Sequence, residues 1–285
     1  MRNSESVKRK LGPATPAILN ALAILESFDV ETPALSLSEI SRRLGIAKAS
    51  AFRNLNALEQ GGYVVKDVRD GSYSLGSKVL DLARRFSEKD RFLSIGGAHL
   101  RELSRVTGET SHLAIMDGRE IVYVDVAEGS HRVRAVVSRG DRVPGHCVAS
   151  GKAILAFSDR QRVTEFLAAG LAAFTPGTIT SPDGLLTELD RTSRRGYAVN
   201  LGEWAEDVSA VAVPVFGPND AAVGAIGIAG PRLRLGAKML AHLSEAIKAQ
   251  ARRLSMELGA SPGRLAEPSD LSNAAIRRKR GAVAA

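Results

Sequence analysis

The stretch from Ser36 to Leu75 limits the fold more than any other part of the chain. Ser36-Leu37-Ser38-Glu39 is a capping-box pattern, a serine N-cap with a glutamate three residues on. Leu37, Ile40 and Leu44 give the short helix that follows one apolar face. Gly45 ends it, because glycine accepts the left-handed C′ position without a steric cost. A second helix starts almost at once and runs to about Gln60, with Ala51, Leu55 and Leu58 inward and Gly61-Gly62 as its stop. Two alternating runs, Tyr63–Val68 and Ser72–Leu75, flank Asp70-Gly71, which is a hairpin signal. Upstream, Ile18, Leu19, Leu22, Leu25 and Phe28 recur at helical steps before a loop over 29–35. Helix, helix, tight turn, helix and hairpin over 15–76 make a winged helix-turn-helix.

The rest of the chain reads as a second, α+β domain. Ser77 opens a helix over 77–92 with Val79, Leu82, Ala83 and Phe86 on one side and charges on the other, which reads as a linker helix. Within 93–258, a helix to about 107 carries Leu93, Leu100, Leu103 and Val106. Strands are expected at His112–Met116, Ile121–Val126, Val133–Val137, Ala210–Val215 and Val223–Ala229. Helices are expected near 150–157, from Asp159, from Ser181-Pro182-Asp183 to Gly196, and from about Leu235 to Leu258. Residues 1–14 read as a flexible arm. Residues 259–285, with Arg277-Arg278-Lys279-Arg280, read as a basic disordered tail.

Charge and cysteine usage narrow the function. The net charge is +8, from 39 basic and 31 acidic residues. Residues 1–90 and 260–285 each contribute +3, and the larger middle contributes only +2. Basic ends fit a polyanionic partner, or else plain solubility. The lone Cys147 excludes a disulfide scaffold and fits a reducing compartment. No apolar run approaches the ~18 residues of a membrane helix, and the polar start gives no secretory signal. A cytoplasmic chain with no membrane partner is expected.

The second helix of the winged unit is the one that enters a DNA major groove. Its outward and leading residues are Lys48, Ala49, Ser50, Phe52, Arg53 and Asn56. Lys48 and Ser50 sit in the first turn, where free N–H groups suit a phosphate. Arg53 suits guanine or phosphate, Phe52 a thymine methyl, and Arg69 at the hairpin tip a phosphate. Against this stands the plainer reading of solvated side chains, or of a winged helix used only for protein contacts.

The second domain offers a pocket and no convincing catalytic set. His146-Cys147 are adjacent and so point apart. The five histidines lack metal spacing, so neither a metal nor a cofactor is expected. Gly224–Gly230 reads as a strand rather than a dinucleotide loop. What remains is a small-residue loop meeting a helix start, Val148-Ala149-Ser150-Gly151-Lys152, then a loop Asn200–Trp204, then Ala210, Gly227 and Ala229 on strands. Helix N–H groups suit an anion, and small side chains on a sheet leave room for a ligand or simply permit close packing. The competing class is a small-molecule hydrolase using Cys147 or Ser150, which lacks an identifiable base.

Three stretches together resemble the IclR family of bacterial transcription regulators: Leu37–Tyr63 with Tyr73-Ser-Leu-Gly76, Pro144–Ala156, and Arg195–Trp204 with Val208–Phe216 and Ile226–Pro231. The resemblance implies a DNA-binding winged helix, a linker helix and a GAF-like effector domain, working as a homodimer or dimer of dimers on palindromic double-stranded operator DNA. It puts DNA contact on Lys48, Ser50 and Arg53. It puts the effector pocket on Ala149, Ser150, Asn200, Val208, Ala210, Gly227 and Ala229, to which the neighbouring loops add His146 and Trp204. Keto-acid-binding members carry an acid near Asn200 and serines at Gly227 and Ala229. Their absence here implies a roomier, more apolar pocket for an aromatic or bulkier organic acid. Asn54 stands where the family usually has leucine.

Overall fold

The computed structural model describes residues 16–29, 31–89 and 91–261, without the side chains of 87–89. The flexible-arm reading and nearly all of the basic-tail reading lie outside those residues. The chain divides into two compact units, 1–89 and 90–285.

The first unit holds α1 (Pro16–Glu26), β1 (Ala34–Leu35), α2 (Leu37–Leu44), α3 (Lys48–Gln60), β2 (Val64–Lys66), β3 (Tyr73–Leu75) and α4 (Lys78–Lys89). The α2 capping box is complete: the Ser36 hydroxyl accepts from Glu39 N–H while the Glu39 carboxylate accepts from Ser36 N–H. Gly45 closes α2 at φ 64°, in the left-handed region. Ile24, Ile40, Ala51, Leu55, Val64 and Tyr73 form the core. The first helix departs from its sequence pattern. It buries Ile24, and Phe28 beyond its end packs on the same core, while Ile18, Leu19 and Leu22 stay exposed.

The hairpin also differs in detail. Lys66 pairs with Tyr73, so the connection is the six residues 67–72 rather than a two-residue turn. Asp67 N–H donates to Ser72 O, and the Asp70 carboxylate accepts from Ser72 N–H. These side-chain and loop bonds hold the wider turn, with Gly71 at φ 72°. The third strand of this small sheet, β1, fell in an expected loop; its two residues pair with β3.

The second unit holds α5 (Arg91–Thr107), β4 (Thr110–Asp117), β5 (Glu120–Ala127), β6 (Arg142–Pro144), a 3-10 turn (Gly145–Cys147), α6 (Ala149–Ala156), α7 (Arg160–Ala168), α8 (Pro182–Arg195), β7 (Ala198–Leu201), β8 (Val208–Phe216), β9 (Ala222–Pro231) and α9 (Ala237–Leu258). Its antiparallel sheet has the order β6-β5-β4-β9-β8-β7. Alternation along the strands splits the side chains between two faces. Leu113, Val211, Val213, Val215, Ile226 and Ile228 pack with Leu100 and Leu103 of α5 and Leu240, Ile247 and Leu254 of α9. The opposite face carries Ala114, Ala210, Ala212, Ala225 and Ala229, packed with Ala149, Ala153 and Ile154 of α6. Bulky residues thus seat two long helices, and small ones admit one short helix close to the sheet.

No strand forms at Val133–Val137. That segment crosses the end of β4 and spends its carbonyls on side chains. Thr110 Oγ1 donates to Ala135 O (3.0 Å) and Arg234 Nη2 to Val133 O (2.9 Å). The strands at β6 and β7 were not foreseen, being short and next to loops. At the end of α9, Gly259 adopts φ 94° and Ser261 bonds to the Asp220 carboxylate.

Candidate functional site

In the first unit α3 presents Lys48, Ala49, Phe52 and Arg53 to solvent, with Ser50 and Asn56 half-buried. The inward side of the helix explains this. Ala51 and Leu55 are fully buried, and Leu58 packs against the same core. Asn54 is buried too, and its amide donates to Ser50 O (3.0 Å), so a polar residue sits there with its hydrogen bond made. Asn20 of α1 donates to Ser50 Oγ at 3.5 Å. The N-cap, Ala47, has no side chain that could bond to the first turn. The α3 terminus therefore carries its dipole uncapped beside the Lys48 ammonium, an arrangement that favours an anion.

Arg69 is exposed at the hairpin loop, but it is not a bare charge. Its guanidinium donates to both oxygens of Asp67, at 3.1 and 2.6 Å. That bond holds the Asp67 carboxyl below the usual carboxylate range. A phosphate arriving at the wing would have to compete with Asp67 for Arg69. Asp67→Ala should therefore raise affinity for duplex DNA a few-fold and steepen its salt dependence by about one counterion. Anisotropy titrations at several salt concentrations would show it; weaker binding by the variant would mean that the pair builds the loop instead.

In the second unit the strand registers bring distant residues into rows. Asn200, Ala210, Ala229 and Thr110 lie side by side across β7, β8, β9 and β4, and Ala198, Ala212, Gly227 and His112 form the next row. Above these rows sits the α6 start. Ala149 is in the small-residue core with Ala210 and Ala229, Val208 packs at its edge, and Ser150 Oγ is 3.0 Å from His112 Nε2. Asn200 accepts Glu203 N–H at 2.7 Å and so pins the loop after β7. His146 and Trp204 meet through Phe174: the His146 and Phe174 rings lie 5.9 Å apart, and those of Phe174 and Trp204 4.7 Å apart. His146 is buried, with Nε2 2.8 Å from Ala172 O.

Three residues of this region were missed from sequence. The sequence shows only that His112 lacks metal spacing, yet it lies in the middle of the candidate site, edge-on to Tyr123 at 4.9 Å. Its pairing with Gly227 spans 115 residues of sequence, so no local pattern announces it. Gly227 is itself explained by it, since a Cβ there would come within 2.9 Å of His112 Nε2 and 2.6 Å of Val211 O. The other two are Lys152 and Glu203, a buried ion pair joining α6 to the loop after β7. Burial raises the Glu203 carboxyl against the lowering effect of Lys152.

Burial without a countercharge lowers His112 to about 4. The unfolded chain, with an ordinary histidine near 6.5, then binds a proton that the folded chain refuses. Stability from this group is complete above pH 6.5 and is lost as pH falls toward 4, by about 3 kcal/mol in all. His146, lowered by partial burial, acts in the same direction. Chemical denaturation between pH 7.5 and 4.5 should show this slope, and His112→Gln should flatten it; an unchanged slope would place the proton uptake elsewhere.

A winged helix with an uncapped, basic recognition helix, carried on one chain with an α+β unit, is the make-up of a DNA-binding transcription regulator. The sequence model of the IclR helix-turn-helix domain matches residues 17–68, and that of the bacterial transcriptional regulator IclR C-terminal matches residues 91–256. The chain belongs to the IclR family: it is a transcriptional regulator with a DNA-binding helix-turn-helix and a ligand-binding C-terminal domain. It is 31% identical over 248 residues to the HTH-type transcriptional regulator XynR of Escherichia coli, covering 87% of this chain and 98% of XynR. The crystal structure of IclR from Thermotoga maritima superposes with a TM-score of 0.73 at 31% identity, covering 85% of this chain and 98% of that one. An IclR homologue from Microbacterium hydrocarbonoxydans, crystallised with 4-hydroxybenzoate, shares the fold with a TM-score of 0.76 at 24% identity, covering 86% of this chain and all of that one.

Proposed function

We propose that this regulator binds a palindromic operator as a homodimer or dimer of dimers in the cytoplasm, and that a small organic acid with an aromatic or bulky body controls it. The observation that carries the DNA reading is the α3 surface, where Lys48 and Arg53 are exposed around a helix start without a side-chain cap. Arg53 reads a base edge or a phosphate, Lys48 a phosphate, and Ala49, Ser50, Phe52 and Asn56 line the groove-facing side. Exposed apolar side chains on α1 and α4, among them Ile18, Leu22, Leu80 and Phe86, give a second copy a surface to cover. The helix over 78–89 is the linker in this reading.

Fluorescence anisotropy on DNA upstream of the gene, against scrambled DNA, tests the assignment. Arg53→Ala should weaken specific binding by about 1–3 kcal/mol, and Lys48→Ala should lower the salt slope by about one. Unchanged operator affinity in the double variant would remove α3 from the interface.

The effector reading rests on the row Asn200, Ala210, Ala229 beneath the α6 start. Small buried side chains there suit an apolar body, with Val208 packed beside them; His146 and Trp204, joined through Phe174, are the further groups of this reading. 4-Hydroxybenzoate is a suitable first probe. We assign the domain no catalytic role. Burial pushes the Cys147 thiol up to about 12, against the thiolate that a nucleophile needs. Ser150 does have a base within reach, His112, which sequence reasoning had not found. That imidazole is a weak base, and among the described residues its Nδ1 has no hydrogen-bond partner to orient it.

A further inference from the structure

The His112–Ser150 pair is hydrogen-bonded to itself and incomplete. His112 is 1% exposed, Ser150 equally so, and His112 Nδ1 is a buried atom with no hydrogen-bond partner among the described residues. Such an atom costs stability unless something supplies its bond. The ring stands over Gly227, where any side chain would collide with it, and Tyr123 holds it edge-on from β5. Around it the same sheet face is alanine: Ala114, Ala198, Ala212. Thr110 and Asn200 in the neighbouring row spend their polar groups on Ala135 O and Glu203 N–H, so His112 Nδ1 is the polar atom left over among these alanines.

We infer that His112, with Ser150, is the specificity-determining group of the ligand site, and that it receives a hydroxyl of the ligand. This rests on the effector reading above. A neutral imidazole offers one donor and one acceptor, and the Ser150 hydroxyl takes whichever sits on Nε2. Nδ1 is then the acceptor or the donor that remains. A hydroxyl both donates and accepts, so it fits either tautomer, whereas a methyl in its place fits neither. Burial holds the imidazole uncharged, which removes the attraction that a carboxylate would seek at that point. A site that spends a buried polar atom on a ligand hydroxyl rejects the analogue that lacks it far more strongly than an apolar pocket rejects a change of shape.

The experiment compares 4-hydroxybenzoate with 4-methylbenzoate on the full chain by calorimetry, in wild type, His112→Leu and His112→Gln. In parallel, 15N-labelled histidine reports the His112 ring nitrogens of the wild type during titration. Wild type should favour the hydroxy acid by about 10-fold or more, His112→Leu should bind both acids alike, and His112→Gln should keep part of the preference. The ring-nitrogen resonances of His112 should move with the hydroxy acid and stay with the methyl acid. Equal binding of both acids by wild type, with unmoved His112 resonances, overturns this inference and leaves the effector site standing. Failure of both acids to bind wild type overturns the aromatic-acid reading and this inference with it. The spectroscopic readout stands even where a variant fails to fold.

Discussion

Lys152→Met should destabilise the C-terminal unit by about 3–5 kcal/mol, because it strands a buried carboxylate. Lys152 is 1% exposed and Glu203 8%, and Glu203 Oε2 already has no hydrogen-bond partner among the described residues. The pair is buried, so removing the ammonium leaves the carboxylate without its countercharge. In a domain of this size the melting temperature should fall by about 10 °C. The carboxyl, raised by burial even with Lys152 present, would escape by taking up a proton. The variant should therefore lose less stability at pH 5 than at pH 8. Replacing both partners by apolar residues should recover most of the loss, since an apolar pair carries no desolvation cost. Urea denaturation of the two single variants and the double variant gives the coupling. Single variants within about 1 kcal/mol of wild type would show that the pair is hydrated in solution.

A methyl group at Gly151 should be as damaging, for a steric reason. An alanine Cβ there would stand 1.9 Å from Gly145 O and 2.6 Å from Gly145 Cα and carbonyl carbon. The obstacle is backbone, so no rotamer relieves it. The second residue after the α6 start is pressed directly onto the 3-10 turn that carries His146 and Cys147. Alanine would gain up to about 1 kcal/mol in helix propensity. The forced separation of turn and helix should cost about 3 kcal/mol or more beyond that gain. Ala149 and Ser150 would move with the helix, so binding at the proposed effector site should fall together with stability. Gly151→Ala that melts like wild type would mean that the turn yields easily and that the close approach is incidental.

The winged unit was legible because its signals are local. The Ser36–Glu39 capping box, the left-handed Gly45 and the burial of Ala51 and Leu55 each depend on residues within a few positions of one another. The same holds for Ser181-Pro182 and Gly196 around α8. Local periodicity misled where tertiary contact overrides it. On α1 the apolar run is longer than the stripe that packs, so Leu22 is exposed while Ile24 is buried. At Val133–Val137 the alternation is real, yet no neighbouring strand offers a ladder, and side chains take the carbonyls instead.

The candidate ligand site divides along the same line. From the sequence came its outline: a helix start at Ala149-Ser150, a loop at Asn200, and small residues at Ala210, Gly227 and Ala229. The sequence also showed that this chain lacks hydroxyl side chains at Gly227 and Ala229. Its polar chemistry came only from the tertiary structure. Register across four strands sets His112 beside Gly227, and the packing of α6 on that face brings Ser150 to it. The same packing shuts Lys152 in with Glu203. Helix starts and turns are encoded within a few residues, whereas a buried polar pair is made by strands and helices that meet from opposite ends of a domain.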